Sequence, residues 1–262
     1  MSAAPPIVAF AAAARFGSET VFDDLRFEVE RGEFLCILGP SGCGKSTALR
    51  LIGGLLAPSA GGVSIDGRPA GESWQRLAFV FQAPRLVPWR NARDNVALAL
   101  ELRNPAASKT ERQARADKLL ARMGLAADAR KFPRMLSGGE RQRVALARAL
   151  AVEPEIILMD EPFSALDVNT RQRLRQELIE LWRETRKTIV FVTHDIDEAL
   201  VLADRILVFS GKPTRVLDEL EIDAPRPRRI DDLPELGARR ARLHALFRSL
   251  GDGAIAASEE PS

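Results

Sequence analysis

Residues 39–47 read Gly-Pro-Ser-Gly-Cys-Gly-Lys-Ser-Thr, a glycine-rich loop that ends in a lysine and two hydroxyl side chains. Glycines let backbone N–H groups wrap around a phosphate without clashes from Cβ atoms. The lysine can reach the β- and γ-phosphates of a nucleotide, and the hydroxyl that follows it can bind Mg²⁺. The pattern predicts phosphate contacts from Gly39, Pro40, Ser41, Gly42, Cys43, Gly44, Lys45, Ser46 and Thr47.

The segments on either side of this loop favour the strand–loop–helix arrangement that such chemistry needs. Residues 34–38 form a short apolar run, which is typical of a strand buried on both faces. Residues 45–51 read as a helix, whose N-terminal end carries a partial positive charge that attracts phosphate. The loop is therefore predicted to bind a nucleoside triphosphate.

A second apolar run, residues 156–160, ends in two adjacent carboxylates, Asp160 and Glu161. Neighbouring residues of a strand point in different directions, so the two side chains need not share one task. Asp160 is expected to hold Mg²⁺, directly or through water. Glu161 is expected to polarise the attacking water as a general base. A solvated acidic turn is the alternative interpretation of this pair.

A third motif, Leu-Ser-Gly-Gly-Glu at residues 136–140, stands between the other two in the sequence. Ser137 and Glu140 have the spacing of a capping box, and a run of good helix formers follows. Ser137, Gly138 and Gly139 therefore lie at a predicted helix N-terminus, where an anion can bind. The motif is either an ordinary helix cap or a second phosphate site. Because the chain already has one complete phosphate loop, a second site would serve another copy of the chain.

Together these segments resemble the ATPase subunit of an ATP-binding cassette (ABC) transporter, over roughly residues 7–220. The loop at 39–47 is similar to the Walker A motif, 156–160 to Walker B, and 136–140 to the LSGG(E/Q) signature. The resemblance implies ATP and Mg²⁺ as ligands and Glu161 as the catalytic glutamate. It also implies a head-to-tail homodimer, in which each ATP lies between the loop of one copy and the signature of the other.

Three shorter motifs carry the same resemblance. Gln82 matches the Q-loop glutamine, which in the family senses Mg²⁺ and water, and it is expected to end a strand over 79–82. Residues 164–167 match the D-loop, which crosses the dimer interface, and His194 matches the switch histidine that contacts the γ-phosphate. The resemblance implies catalytic roles for Glu161, His194, Gln82 and Lys45, and metal contacts from Ser46, Gln82 and Asp160.

The adenine ring is usually stacked in this family on an aromatic side chain, most often tyrosine, some two dozen residues before the glycine loop. This chain contains no tyrosine, and Phe16 occupies the corresponding position. A phenylalanine still offers a π-face for stacking. Phe16 could instead be a core aromatic of an N-terminal strand, in which case Phe10 and Phe22 are the competing candidates.

Apolar patterning predicts an α/β fold with a parallel sheet and helices on both of its faces. The resemblance implies a P-loop NTPase (ABC ATPase) core with an N-terminal antiparallel β subdomain and a helical subdomain inserted at about 85–151. The domain boundaries are expected at 1–222 for the ATPase domain and 223–262 for a Pro/Arg linker and helical tail. Predicted strands include 7–11, 21–29, 63–65, 79–82 and 188–193, with a turn at 66–67. Predicted helices are 95–102, 109–123, 140–151, 169–184, 196–203 and 236–250.

Composition and sequence patterns argue against a membrane-spanning protein, a secreted protein and a protein stabilised by disulfides or zinc. The 262 residues carry 38 Lys and Arg against 36 Asp and Glu, a balance that argues neither for nor against nucleic acid. No nucleic-acid partner is expected. No apolar run approaches the length of a membrane span, and the N-terminus lacks the features of a secretory signal. Cys36 and Cys43 are expected to be reduced thiols, since neither a disulfide framework nor a zinc site can be built from them.

Two segments resemble the importer branch for nitrate, sulfonate and taurine-like substrates: the Leu-x-Pro-Trp pattern ending at Trp89, and residues 193–205. The resemblance implies an ATP-hydrolysing subunit that energises uptake of a small, anionic solute through integral membrane permease subunits. A periplasmic or lipid-anchored solute-binding protein would take part indirectly, and the chain would sit at the cytoplasmic face of the bacterial inner membrane. The alternatives are an exporter or lipid-translocating system, and a non-transport ABC ATPase.

Two further features leave alternatives open. Trp89 either forms part of a docking surface for the permease or is tucked between two lobes of the protein. The arginine-rich tail, 224–250, either packs on the core as a solvated helix or contacts a neighbouring subunit or lipid headgroups.

Overall fold

The computed structural model of the chain describes residues 5–256, with side chains described through Arg248. Two compact units are present. The first is formed by the residues up to Ser73 together with those from Thr188 onward, and the second is Trp74–Lys187. Each unit contains strands and helices, and each contains some of the candidate functional residues.

The strands and helices follow one another along the whole described chain. The strands are β1 (Val8–Phe16), β2 (Glu19–Val29), β3 (Phe34–Leu38), β4 (Ala60–Ile65), β5 (Arg68–Pro69), β6 (Leu77–Val80), β7 (Ile156–Asp160), β8 (Thr188–Thr193), β9 (Arg205–Phe209) and β10 (Val216–Glu221). The α-helices are α1 (Lys45–Ile52), α2 (Ala92–Arg103), α3 (Lys109–Arg122), α4 (Gly138–Ala151), α5 (Val168–Thr185), α6 (Ile196–Leu202) and α7 (Pro234–Ala256).

An antiparallel sheet in the order β2-β1-β4-β5 forms one part of the first unit. The central strand β1 pairs with β2 on one side and β4 on the other, so Val8 faces both Val29 and Ile65. Asp66 and Gly67, which both have positive φ, form the turn between β4 and β5. The predicted antiparallel β subdomain and its Asp66-Gly67 turn are therefore confirmed.

Parallel strands form the other part of the first unit, in the order β10-β9-β3-β8. The strand β3 pairs in parallel with β8 and β9, while β10 is antiparallel to β9. All residues of β3 and β8 are buried, because parallel strands are covered on both faces. The sequence runs 34–38 and 188–193 coincide with these two strands, and the predicted α/β fold class is confirmed.

The second unit contains the parallel pair β6 and β7, in which Leu77 faces Ile156. The helices α2, α3 and α4 pack on one another, and α4 also packs on β6. Polar side chains cap the helices: Asn91 before α2, Ser108 before α3 and Asp167 before α5 each accept a hydrogen bond from the first turn. The helices predicted in this region are present.

Several predicted boundaries are wrong. The strand expected over 79–82 is β6, which ends at Val80, so Gln82 lies beyond the strand instead of closing it. The helix α2 begins at Ala92 and not at residue 95, because the Asn91 cap was not recognised in the sequence. The tail helix α7 is longer than the predicted 236–250, since Pro234 suits the first turn of a helix.

The arginine-rich segment before α7 packs closely within the first unit. The buried Arg228 guanidinium donates hydrogen bonds to four backbone carbonyl groups, at 2.5–3.1 Å, and burial lowers its pKa to about 10. Two of these carbonyls, those of Leu200 and Ala203, belong to the C-terminal end of α6, where helix carbonyls lack helical partners. Arg226 forms an ion pair with Asp204 at 2.7 Å. These contacts agree with the packed interpretation of the tail.

Candidate nucleotide site

The phosphate loop in the first unit joins β3 to α1. Gly42 and Gly44 have φ values of 77° and 112°, which side chains with a Cβ rarely adopt. A Cβ atom on Gly44 would also lie 2.5 Å from Cγ1 of Val21. Glycine is therefore required at position 44 both by the backbone conformation and by the close approach of β2.

Lys45 is the first residue of α1, and its side chain turns back into the loop. Only 4% of the residue is exposed. Its Nζ atom donates hydrogen bonds at 2.8 Å to the backbone carbonyl oxygens of Gly39 and Pro40. A buried ammonium group at a helix N-terminus is arranged to meet an anion. Ser46 and Thr47, which follow it, are partly exposed.

Thr214 supports the loop although it lies 171 residues after Cys43, the loop residue to which it hydrogen-bonds. Its hydroxyl donates a hydrogen bond to the Cys43 carbonyl oxygen, and its backbone N–H donates one to the Val21 carbonyl oxygen at 2.7 Å. The buried threonine thus ties the loop to β2. The role of Thr214 was not visible in the sequence, because a single threonine between two structural segments forms no recognisable motif.

Both cysteines are free and buried, as expected for reduced thiols. Burial raises the pKa of the Cys43 thiol, although the nearby Lys45 charge opposes that shift. Burial, with a smaller contribution from Glu198, raises the pKa of the Cys36 thiol as well. A thiol in such surroundings is a poor nucleophile, so Cys43 contributes its backbone to the loop and not a reactive sulfur.

The structure separates the three candidate adenine-stacking residues. Phe10 and Phe22 are buried, and Phe10 stacks on Phe27 with ring centroids 4.6 Å apart. Phe16 is the last residue of β1 and is 50% exposed. Phe10 and Phe22 are therefore core residues, and of the three rings only Phe16 is available to a ligand.

His194 follows directly after β8 and precedes α6. Its side chain is exposed, whereas Thr193 before it is buried. The strand β8 runs beside β3 in parallel, and Thr193 at its end is paired with Leu38, the last residue before the phosphate loop. Because carboxyl ends of parallel strands meet at the same edge of a sheet, His194 and the phosphate loop both lie at that edge of the first unit.

The two carboxylates in the second unit have different surroundings. Asp160 ends β7 and is 6% exposed, whereas Glu161 is partly exposed. Glu161 has a φ of 43°, a left-handed conformation that costs non-glycine residues roughly 1–2 kcal/mol. Strained backbone of this kind occurs preferentially at functional sites. The divergence of the two side chains expected from the sequence is supported by their unequal burial.

Ser164 joins two of the predicted catalytic residues within the second unit. Its hydroxyl donates a hydrogen bond to the Glu161 carbonyl oxygen at 3.1 Å and accepts one from Nε2 of Gln82 at 3.2 Å. Ser164 therefore links the Gln82 side chain to the backbone of Glu161, although these two residues are far apart in the sequence. The sequence placed Ser164 in the D-loop motif, but it gave no indication of this bridging contact.

The signature motif forms the start of α4, as predicted. Ser137 and Glu140 make both hydrogen bonds of a capping box, at 3.2 and 2.6 Å. A Cβ atom on Gly139 would lie 2.4 Å from Cγ2 of Thr170, so a larger residue there would force the Thr170 side chain to move. A Cβ atom on Gly138 would meet no atom closer than 3.8 Å. A side chain at Gly138 would therefore make only an ordinary van der Waals contact with Leu166, and Gly138 itself is partly exposed.

The segment after Gln82 presents Trp89, which is 77% exposed. The fully buried Asn95 fixes this segment, since its side chain accepts a hydrogen bond from the Val87 backbone N–H at 2.7 Å and donates to the carbonyl oxygens of Val87, Arg90 and Asn91. The exposed indole thus stands on an ordered loop. Asn95 is another residue whose role was not visible in the sequence.

Oxygen ligands of the kind that Mg²⁺ prefers occur in each unit. The first unit offers the Ser46 hydroxyl, and the second offers the Asp160 carboxylate and the Gln82 amide. Within residues 5–256, no group of three or more His, Cys, Asp and Glu side chains could hold a metal ion. Mg²⁺ commonly binds through one or two protein groups together with substrate phosphates, and the side chains present here fit that mode.

In the part of the chain that the structure describes, no helix is both long and apolar enough to cross a bilayer.

Comparison with known proteins identifies the family. The ABC transporter family model matches residues 22–164. The nitrate import ATP-binding protein of Synechococcus elongatus is 46% identical over 213 residues, which cover 81% of this chain and 78% of that protein. An aliphatic sulfonates import ATP-binding protein of Burkholderia cenocepacia is 44% identical over 252 residues, covering 96% and 91%. A taurine import ATP-binding protein of Pseudomonas aeruginosa is 45% identical over 230 residues, covering 85% and 87%.

Solved structures agree with this assignment. A dimeric ATP-binding cassette in a post-hydrolysis state, bound to ADP and phosphate, superposes with a TM-score of 0.74 at 37% identity, covering 83% of this chain and all of that one. The predicted resemblance is thereby confirmed. The chain belongs to the ABC transporter family, as an ATPase similar to those of the importer branch for nitrate, sulfonates and taurine.

Proposed function

We propose that this chain is the ATP-hydrolysing subunit of an ABC importer, which energises the uptake of a small anionic solute through a separate membrane permease. The observation that carries the proposal is the phosphate loop, with left-handed glycines and an inward-turned Lys45 ammonium at the start of α1. The names of the relatives, which refer to nitrate, sulfonates and taurine, support the solute class.

ATP binding would use the loop in the first unit. The backbone N–H groups of residues 39–47 and the N-terminus of α1 would contact the phosphates. Lys45 would exchange its hydrogen bonds to Gly39 and Pro40 for stronger, charge-assisted ones to the β- and γ-phosphates. The exposed Phe16 ring would stack on adenine.

Hydrolysis would use the carboxylates of the second unit. Glu161 would take a proton from the attacking water as the general base. Gln82, which is linked to the Glu161 backbone through Ser164, would help to orient that water. Ser46, Gln82 and Asp160 would hold Mg²⁺, which supplies charge neutralisation for the phosphates when it is bound. The exposed His194 would contact the γ-phosphate.

The signature motif would complete the site of a second copy of the chain. In such a homodimer, Ser137, Gly138 and Gly139 at the N-terminus of α4 would face the ATP held by the partner's phosphate loop. The partial exposure of Gly138 supports this role, because a γ-phosphate could approach the helix end there. The dimeric state of a structurally similar cassette supports the same arrangement.

Transport would depend on contact with the permease. The ordered segment after Gln82, with its exposed Trp89, is the proposed docking surface. ATP-driven closure of the dimer would pull on the permease through this segment, and hydrolysis would release it. The chain would then lie at the cytoplasmic face of the bacterial inner membrane, and a periplasmic or lipid-anchored solute-binding protein would deliver the solute. Export and non-transport roles are not favoured, since the relatives are named as import proteins.

The first prediction concerns the general base. Glu161→Gln keeps the size of the side chain but removes its basicity, so the rate of ATP hydrolysis should fall by about 10²-fold or more. ATP affinity, measured by calorimetry, should stay within about twofold, because the phosphate loop is unchanged. Glu153→Gln, at an exposed glutamate that pairs with Arg115, is the control and should hydrolyse ATP normally. Near-normal turnover by Glu161→Gln would remove this residue from the catalytic role.

The second prediction concerns the homodimer. Gly138→Asp places a negative charge at a helix N-terminus, which favours folding of α4 but repels the partner's γ-phosphate. Gly138→Asn has the same shape without the charge. Both variants are made in a Glu161→Gln background and compared by size-exclusion chromatography with ATP. The Gly138→Asp protein should dimerise at least about tenfold more weakly than the Gly138→Asn protein, which is the effect of one strong like-charge contact. Equal dimerisation of the two variants would contradict the assignment of this motif to the partner's nucleotide.

The third prediction concerns adenine. Phe16→Ala should weaken ATP binding by about 1–2 kcal/mol, the usual value of aromatic stacking with burial, or roughly five- to thirtyfold in Kd. Phe16→Tyr keeps the ring and should bind ATP at least as tightly as the parent. Circular dichroism would establish that both variants are folded. Unchanged ATP affinity in the folded alanine variant would show that the Phe16 ring does not contact the base.

A further inference from the structure

Three hydrogen bonds in the first unit form a ring that includes both sequence neighbours of His194. The Thr193 hydroxyl donates to Oε2 of Glu198 at 2.7 Å and accepts from the Asp195 backbone N–H at 3.0 Å. The Asp195 carboxylate in turn accepts from the Glu198 backbone N–H at 3.0 Å. The two residues that flank His194 are therefore joined to each other and to the first turn of α6.

The Thr193–Glu198 hydrogen bond of this ring is buried, whereas Asp195 is partly exposed and His194 is exposed. Thr193 and Glu198 are 2% and 3% exposed. The helix α6, which carries Glu198, packs on β3. The Glu198 charge adds to the burial that raises the pKa of the Cys36 thiol in that strand. A buried hydrogen-bonded carboxylate is hard to displace, because each lost partner leaves a polar group away from water. The ring consequently holds the backbone on both sides of His194.

The helix that carries Glu198 is fixed at both ends as well. Arg228 donates hydrogen bonds to the Leu200 and Ala203 carbonyl oxygens at its C-terminal end. Arg240 of α7 forms an ion pair with Asp197 in its first turn at 2.7 Å. Because α6 is held in this way, the ring cannot relax by a simple shift of the helix.

We propose that Thr193 and Glu198 are positioning residues for His194. They hold its backbone so that the exposed imidazole is presented at the edge of the sheet where the phosphate loop also emerges. Neither side chain touches the nucleotide in this account, and both act through His194. The inference rests on the proposed role of His194 at the γ-phosphate.

Thr193→Val tests the ring by removing the hydroxyl while keeping the side-chain shape. We expect kcat for ATP hydrolysis to fall by about tenfold, with KM for ATP within about twofold, because a misplaced catalytic group affects the transition state more than binding. Thr193→Ser keeps the hydroxyl and should restore kcat. If the valine variant does not fold, Thr193→Ala, which removes the hydroxyl without adding a methyl group, must show the same loss.

Thr188→Val is the matched control in the same strand. Thr188 is also buried, and its hydroxyl also accepts a backbone hydrogen bond, from Gly32 at 2.9 Å, but it lies at the opposite end of β8. A role confined to stability predicts similar effects of both valine substitutions on kcat. The positioning role predicts that only Thr193→Val lowers kcat.

His194→Ala separates failure of this inference from failure of the proposed function. In a His194→Ala background, Thr193→Val should cause no further loss of kcat, because the residue on which it acts is gone. Normal hydrolysis by His194→Ala would overturn the proposed role of the histidine. An impaired His194→Ala together with a normal Thr193→Val would overturn the positioning role alone, as would a further loss of kcat in the double variant.

Nuclear magnetic resonance gives a readout that does not depend on activity. The chain has only two histidines, His194 and the exposed His244, so their ring C2–H signals can be distinguished by a His244→Gln variant. In Thr193→Val the His194 signal should shift or broaden, while the His244 signal stays in place and serves as an internal reference. An unchanged His194 signal would contradict the proposal.

Discussion

The phosphate loop at 39–47 is the constraint on which the rest of the structure depends. Its backbone must turn through left-handed conformations, and β2 approaches so closely that Gly44 admits no side chain. The buried Lys45 ammonium donates hydrogen bonds to two loop carbonyl oxygens. Thr214, which is distant from the loop in the sequence, hydrogen-bonds to its Cys43 carbonyl oxygen. Each of these contacts prepares the site for an anion before any ligand arrives, which lowers the cost of ordering on binding.

The acidic and histidine candidates lie at the carboxyl ends of buried strands. Asp160 ends β7, Glu161 follows it directly, and His194 follows β8. Pairing within the sheet restricts the backbone of the strand residues. The residues just beyond the strands can adopt less common conformations, such as the positive φ of Glu161. Hydrogen bonds support these residues, through Ser164 in the second unit and the buried Thr193 in the first. The strands and the hydrogen-bonded loops that follow them together position these candidate catalytic groups.

The sequence predicted the features that have local patterns. The strands 34–38 and 156–160 coincide with the structure, because an unbroken apolar run bounded by glycine or acidic residues is a strong signal. Gln82 was placed at a strand end since the apolar run continues through Phe81, but pairing with β7 stops at Val80. The contacts of Thr214, Asn95 and Arg228 could not be predicted, because they join segments that only the tertiary fold brings together. Phe16 could be distinguished from the other N-terminal aromatics only once burial was known.

Release of inorganic phosphate from ATP by the purified chain, compared with Lys45→Ala, tests the central claim most directly. The account predicts Mg²⁺-dependent hydrolysis by the parent that is abolished by a chelator and lowered by about 10²-fold or more in the variant, since the lost charge stabilises the transferred phosphate. The variant should also lose affinity for ATP far more than for adenosine. Hydrolysis that persists in a folded Lys45→Ala protein, or the absence of hydrolysis by the parent both alone and with its permease, would contradict the account.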